Sequence, residues 1–147
     1  MIKKNFQTKI TSLWTTFLLG LLFHTQLGLM PLFHSLQVAD SQAQNLNEIA
    51  PILWLMLGFF VFPLFAIIAT AFWDSQRYRK FHLVFTLIYS VLNTAHLIAD
   101  LMVQPIAWYQ IALMFILLII GLLLNLVSYQ WVREQHSSRK WVKSAIS

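Results

Sequence analysis

The chain holds no cysteine. That excludes a disulfide, a thiolate metal site, an iron–sulfur cluster, a c-type haem attachment and a cysteine nucleophile. Charge is scarce as well, at 10% of residues. No glycine-rich phosphate loop and no paired acidic catalytic motif is present. Ser35 and Ser90 are the serines nearest in depth to the histidines described below, and Ser35 should point ~100° away from His34 along a helix. A Ser–His–Asp triad therefore does not assemble, and catalysis has little support.

Apolar residues fill the space instead. They make up 59% of 147 residues, with a mean hydropathy of +0.67. No soluble domain of this size needs so much apolar surface, so the composition reads as integral membrane. Four apolar segments cover about residues 12–36, 49–73, 80–103 and 105–131, and a basic tail covers 132–147. The length leaves room for one bundle and no separate soluble domain. The expected fold is all-α: four transmembrane helices in an up-down bundle. Lys3, Lys4 and Lys9 precede the first segment like a signal-peptide n-region, and Ser41-Gln42-Ala43 resembles a cleavage site. The apolar run over 13–33 is too long for an h-region, so the segment is read as retained.

All ten Lys and Arg residues fall in three places: the N-terminus, the connector over 74–80 and the tail. In a four-span chain these lie on one side, and the positive-inside rule puts both termini in the cytoplasm. Trp14, Trp73, Tyr78, Tyr129 and Trp131 would form the inner aromatic belt, and Trp54, Trp108 and Tyr109 the outer one. The pattern is read as that of a bacterial plasma (inner) membrane, and it does not exclude a thylakoid or organelle membrane. Arg133, Arg139, Lys140 and Lys143 sit beside Trp131 and Trp141. That arrangement reads as attraction to anionic lipid, not to nucleic acid. His136 belongs to this tail and is expected to be exposed.

Pro51 suits the first turn of segment two. Pro63 lies mid-segment, should kink the helix, and frees a carbonyl that needs another partner. The short connector over 74–80 predicts that segments two and three are neighbours. Gly20 and Gly28 flank His24, so a helix or a flat ligand can come close there.

Segment three carries the main polar pattern. His82, Thr86, Tyr89, Asn93, His96 and Asp100 are spaced 4, 3, 4, 3, 4. All six fall within an arc of ~80° and rise ~27 Å along one helix face. Such a seam cannot face lipid cheaply, so it must face helices, water or a bound group. Counting from segment ends puts His24 near the midplane, beside Asn93. His34 and Asp100 are then level with one another, further out. His82 and Thr86 lie near the inner face, level with Asn125 and Ser128. There His82 should reach water beside Arg79 and Lys80, which predicts that His96 matters more to stability.

Three roles are compatible with this pattern. The first is structural: the seam joins helices in a small membrane component or accessory subunit, with a membrane-protein partner or a second copy. The second is a bound haem or metal. His82 and His96, 14 apart, resemble the histidine pairs of di-haem cytochrome b helices. Segment one offers His24 and His34 only 10 apart, so at most one b-type haem fits, between His24 and His96. The variant is a single transition metal on His34, His96 and Asp100, with His24 or Glu48 as a fourth ligand. The third is a proton or small-solute pathway along the seam.

Overall fold

The computed structural model describes residues 5–36 and 44–146, with side chains through residue 134. Asp40 and the tail residues His136, Arg139, Lys140, Trp141 and Lys143 therefore lie outside the described side chains. Among the described residues four α-helices make up the fold: α1 (Phe6–Leu29), α2 (Leu46–Phe72), α3 (Gln76–Met102) and α4 (Trp108–Ile146). A 3₁₀ turn, Met30–His34, extends α1. Among the described residues there is no strand. Each of the four helices is long and apolar enough to cross a membrane, as befits a small integral membrane protein.

Helices α1, α2 and α3 begin before the apolar runs do, because polar caps start them, whereas α4 begins later than expected, at Trp108, past Pro105. Asn5 Oδ1 accepts the Thr8 N–H at 3.2 Å. Ser75 Oγ accepts the Tyr78 N–H at 3.2 Å. Asn45 Oδ1 accepts the N–H groups of Asn47 and Glu48, and the Glu48 carboxylate accepts from Gln44 N–H and the Asn45 amide. That is a variant of the capping box, in which the carboxylate reaches the N–H of the residue before the cap, and it occupies Glu48 with helix initiation. Helix α4 runs past residue 131 without a break, since no glycine or proline follows Gly121.

Helix α4 packs along α3 and α1, and α1 packs along α2. Gly20 makes one of these approaches possible. A Cβ there would run into the fully buried Leu117 side chain. At Gly28 the nearest atom would be Gln110 Nε2, at 3.4 Å. No flat ligand is needed to account for either glycine.

Helices α2 and α3 meet through two tyrosines. Pro63 has no N–H, so the carbonyl of Phe59, four residues back, loses its helical donor. The Tyr89 hydroxyl donates to that carbonyl at 3.0 Å. The freed carbonyl thus finds its new partner on α3. Nearer the termini, the Tyr78 hydroxyl donates to Ala66 O at 3.0 Å and lies 2.9 Å from Thr70 Oγ1. Gln7 Nε2 on α1 donates to Thr70 O at 2.7 Å.

The core is confined to the half that carries these contacts, here called proximal. It centres on Ile10, Trp14, Phe17, Leu21, Met114, Leu117, Leu124 and Trp131. Beyond Leu21, Pro63, Asn93 and Met114, towards the distal end, no described residue is buried. Trp14 and Trp131 are core residues, 0% and 2% exposed, and not members of an interfacial belt. The difference lies in what α3 offers them: the Trp14 indole N–H donates to His82, and the Trp131 ring packs against His82 and under the Arg79 guanidinium. Trp54, Trp73, Trp108, Tyr109 and Tyr129 are exposed, as belt residues would be.

Candidate functional site

The six seam residues do not form one site. They divide into a closed proximal cluster and an open distal one.

His82 is the centre of the proximal cluster and is 1% exposed. Trp14 Nε1 donates to its Nε2 at 3.0 Å, and Ser128 Oγ lies 3.1 Å from its Nδ1. An indole N–H can only donate, so Nε2 must carry the lone pair. The ring proton then sits on Nδ1 and is donated to Ser128 Oγ. His82 is therefore a neutral imidazole with both nitrogens used. The expectation that it reaches water is overturned, because the Trp14 and Trp131 rings close over it, at 6.3 and 6.0 Å between centroids. Arg79 seals the same end. Its Nη1 donates to Trp131 O at 2.7 Å, its Nε and Nη2 reach Asp74 Oδ1 at 2.6 Å, and its guanidinium lies 4.9 Å from the Trp131 ring centre. This fork needs arginine, since a lysine offers no such planar pair of donors.

The middle of the seam is less complete. Thr86 Oγ1 donates back to Leu83 O at 2.9 Å, within its own helix. Asn93 is 1% exposed, and neither of its amide atoms has a hydrogen-bond partner. Asn125 Nδ2 donates to Ser90 Oγ at 2.8 Å beside Gly121.

The distal cluster holds His24, His96 and Asp100. His24 Nε2 lies 3.2 Å from Asp100 Oδ2, and His96 Nε2 lies 3.5 Å from Asp100 Oδ1. The two imidazole rings meet edge to face, 5.5 Å between centroids. Despite the short approach, His24 Nε2 and Asp100 Oδ2 are both buried atoms without hydrogen-bond geometry to any partner. Three ligand atoms, one from each residue, lie within 4.8 Å of one another. A tetrahedral ion with bonds of ~2.0–2.1 Å sets its ligand atoms about 3.3 Å apart. The two nitrogen–oxygen distances are close to that value, but they run to different oxygens of the Asp100 carboxylate, so the two imidazoles approach it from either side.

Of the sequence-predicted ligands, His96 and Asp100 come together with His24. His34 does not join them; it is exposed at the end of the 3₁₀ turn. Pro31 and the tightened turn end α1 and carry His34 away. Glu48 is held in its capping box. Sequence reasoning missed the roles of Trp14, Ser128 and Arg79 around His82. One signal was available: Arg79 lies three residues before His82, on the same helix face. Nothing local marked Trp14 as its donor. A scan of protein-family models, a search of curated proteins and a search of solved structures each find no match for this chain.

Proposed function

We propose that this chain is a membrane protein that binds one divalent transition-metal ion through His24, His96 and Asp100. One observation carries the reading. Two buried, complementary atoms, His24 Nε2 and Asp100 Oδ2, face each other at 3.2 Å without a hydrogen bond, and His96 Nε2 is within reach. Two imidazoles and a carboxylate are the donor set of zinc-class ions, and three protein ligands leave a fourth position open. A single ion fits better than a haem. The Asp100 carboxylate occupies the space by both Nε2 atoms, where a porphyrin iron would have to sit.

The test uses cobalt(II) as a spectroscopic stand-in for zinc. Protein in maltoside detergent should bind one equivalent and develop visible bands of tetrahedral coordination. His24→Ala and Asp100→Asn should abolish the bands, while His34→Ala should leave them intact. A colourless titration, or bands that survive both substitutions, would remove this function.

The proximal cluster supports a second, structural role for the other half of the chain. His82, Tyr78 and Arg79 join all four helices through Trp14, Ala66, Ser128 and Trp131. A continuous proton path draws less support. Both His82 nitrogens and the Tyr89 hydroxyl are committed to fixed partners.

In the membrane we place the helices up and down, with both termini cytoplasmic and the distal cluster in the outer leaflet of a bacterial inner membrane. Two things support this. Trp14 meets His82 and His24 meets Asp100, so α1 and α3 run the same way, while His82 meets Ser128 and Gly20 meets Leu117, so α4 runs against both. The described basic side chains, Lys9, Arg77, Arg79, Lys80 and Arg133, then lie at the proximal end, and the basic tail that follows in the sequence would meet anionic lipid there.

A further inference from the structure

The flank of α3 that faces α2 is closed in one half and open in the other. Tyr78, Tyr89 and His96 share that flank, 11 and 7 residues apart. Tyr78 and Tyr89 both bond to the α2 backbone. His96, the next along, bonds to no α2 residue among those described, and its side chain is 52% exposed. Helix α2 explains why. Beyond Phe59, at the bond that Pro63 leaves open, every residue from 51 to 57 is exposed. The distal half of α2 therefore offers α3 no cover at the level of His96. The most exposed of the three candidate ligands looks into a lateral opening in the bundle.

Depth says what the opening meets. Helix α3 has 27 residues and so is ~40 Å long, against a hydrocarbon core of ~30 Å. Its ends extend about 5 Å into each headgroup layer. Asp100 is two residues from the distal end of α3, at headgroup level, and His96 is one turn deeper. The apolar wall of the opening continues below, with Leu92 44% exposed on α3. A polar head would sit by the ligands and a hydrocarbon chain would lie along the wall.

Charge says which head. No Lys or Arg lies in the distal half of any helix, so no basic side chain recruits an anion there. Asp100 alone would repel one. With a divalent ion on two neutral imidazoles and one carboxylate, the site carries a net charge of about +1 and an open position for an oxygen ligand. We propose that this position takes the phosphate oxygen of a phospholipid, which enters sideways between α2 and α3. The proposal rests on the metal reading above.

Cobalt-loaded protein in phosphate-free maltoside micelles tests it. Phosphatidylglycerol is added, and both the cobalt bands and the lipid ³¹P line are followed. The cobalt bands should shift, and the ³¹P line should broaden at least tenfold more than in micelles with the same cobalt and no protein. Leu92→Trp, which narrows the opening without touching a ligand, should keep the cobalt bands and lose the broadening. Inorganic phosphate at equal concentration should have little effect. Normal cobalt bands that ignore the lipid would overturn the lipid proposal alone. So would an equal response to inorganic phosphate, which would show entry from water. Absence of cobalt bands before any lipid is added would overturn the metal reading, and this proposal with it.

Discussion

Replacing His82 with alanine should destabilise the protein more than replacing His96. His82 is 1% exposed and bonds to α1 and α4 from α3. The change opens a cavity of about 60 Å³, which at ~24 cal/mol per Å³ costs about 1.5 kcal/mol. It also leaves the Trp14 N–H and the Ser128 hydroxyl without this partner. Interhelical hydrogen bonds in membranes average ~0.6 kcal/mol and reach ~1.7, so two of them add about 1–3. The sum is about 3 kcal/mol. His96→Ala should cost less than about 1 kcal/mol, because its side chain is half exposed and leaves little cavity. This reverses the order expected from sequence depth. Equilibrium unfolding in mixed micelles would compare the two. A cycle with Trp14→Phe should give a coupling of ~0.6–1.7 kcal/mol, because either single change orphans the other partner. His82→Gln keeps an acceptor for the indole and should recover part of the loss. If His82→Ala proves milder than His96→Ala, the proximal cluster does not hold the helices together.

Gly20→Ala should destabilise by about 1–3 kcal/mol, because its Cβ forces the buried Leu117 to repack. Leu117→Ala in the same chain should relieve part of that clash, and unfolding of the three variants measures it. Tyr89→Phe should cost about 1 kcal/mol by orphaning the Phe59 carbonyl. It should also increase protease cleavage or spin-label mobility in α2, and an unchanged α2 would mean another donor serves that carbonyl. Single cysteines at Ser41 and Ser75 test the orientation. An impermeant thiol reagent on intact cells should label the first and miss the second, and equal labelling of both would refute cytoplasmic termini.

The fold class was legible because membrane spans announce themselves by length and composition. The seam was legible too, since residues of one helix keep a fixed angular relation. Its partners were not. Trp14, Ser128 and Gly20 reach their neighbours through helix tilt and approach, which no single segment encodes. The orphaned carbonyl at Pro63 shows the boundary well. Proline chemistry predicts that Phe59 O needs a donor, while only the packing of α2 on α3 makes Tyr89 that donor. His34 shows how depth counting fails. Matching positions by rise assumed one continuous helix, and Met30–His34 winds as a tighter turn after Pro31. His24 stands with Asp100 in its place.

Every orphaned polar atom of the seam lies beyond His82. Asn93 lacks partners for both amide atoms, and Asp100 Oδ2 lacks one. In the proximal half each buried polar group of the seam is bonded and the packing is dense, so stability is built there. The distal half carries groups that stability alone would disfavour. Asn93 separates the two and can be tested without touching a ligand. A buried amide with no partner costs about 1–3 kcal/mol, so Asn93→Val should stabilise the metal-free protein by roughly that amount. Cobalt binding at His24, His96 and Asp100 should be unchanged, since Asn93 is not among the three grouped residues. The measurement is equilibrium unfolding without metal, followed by the cobalt titration on the same variant. If Asn93→Val instead destabilises by more than about 1 kcal/mol, the amide has a partner such as a buried water, and the polar interior is continuous from Tyr89 to Asp100. In that case the seam would have to be reconsidered as a single path.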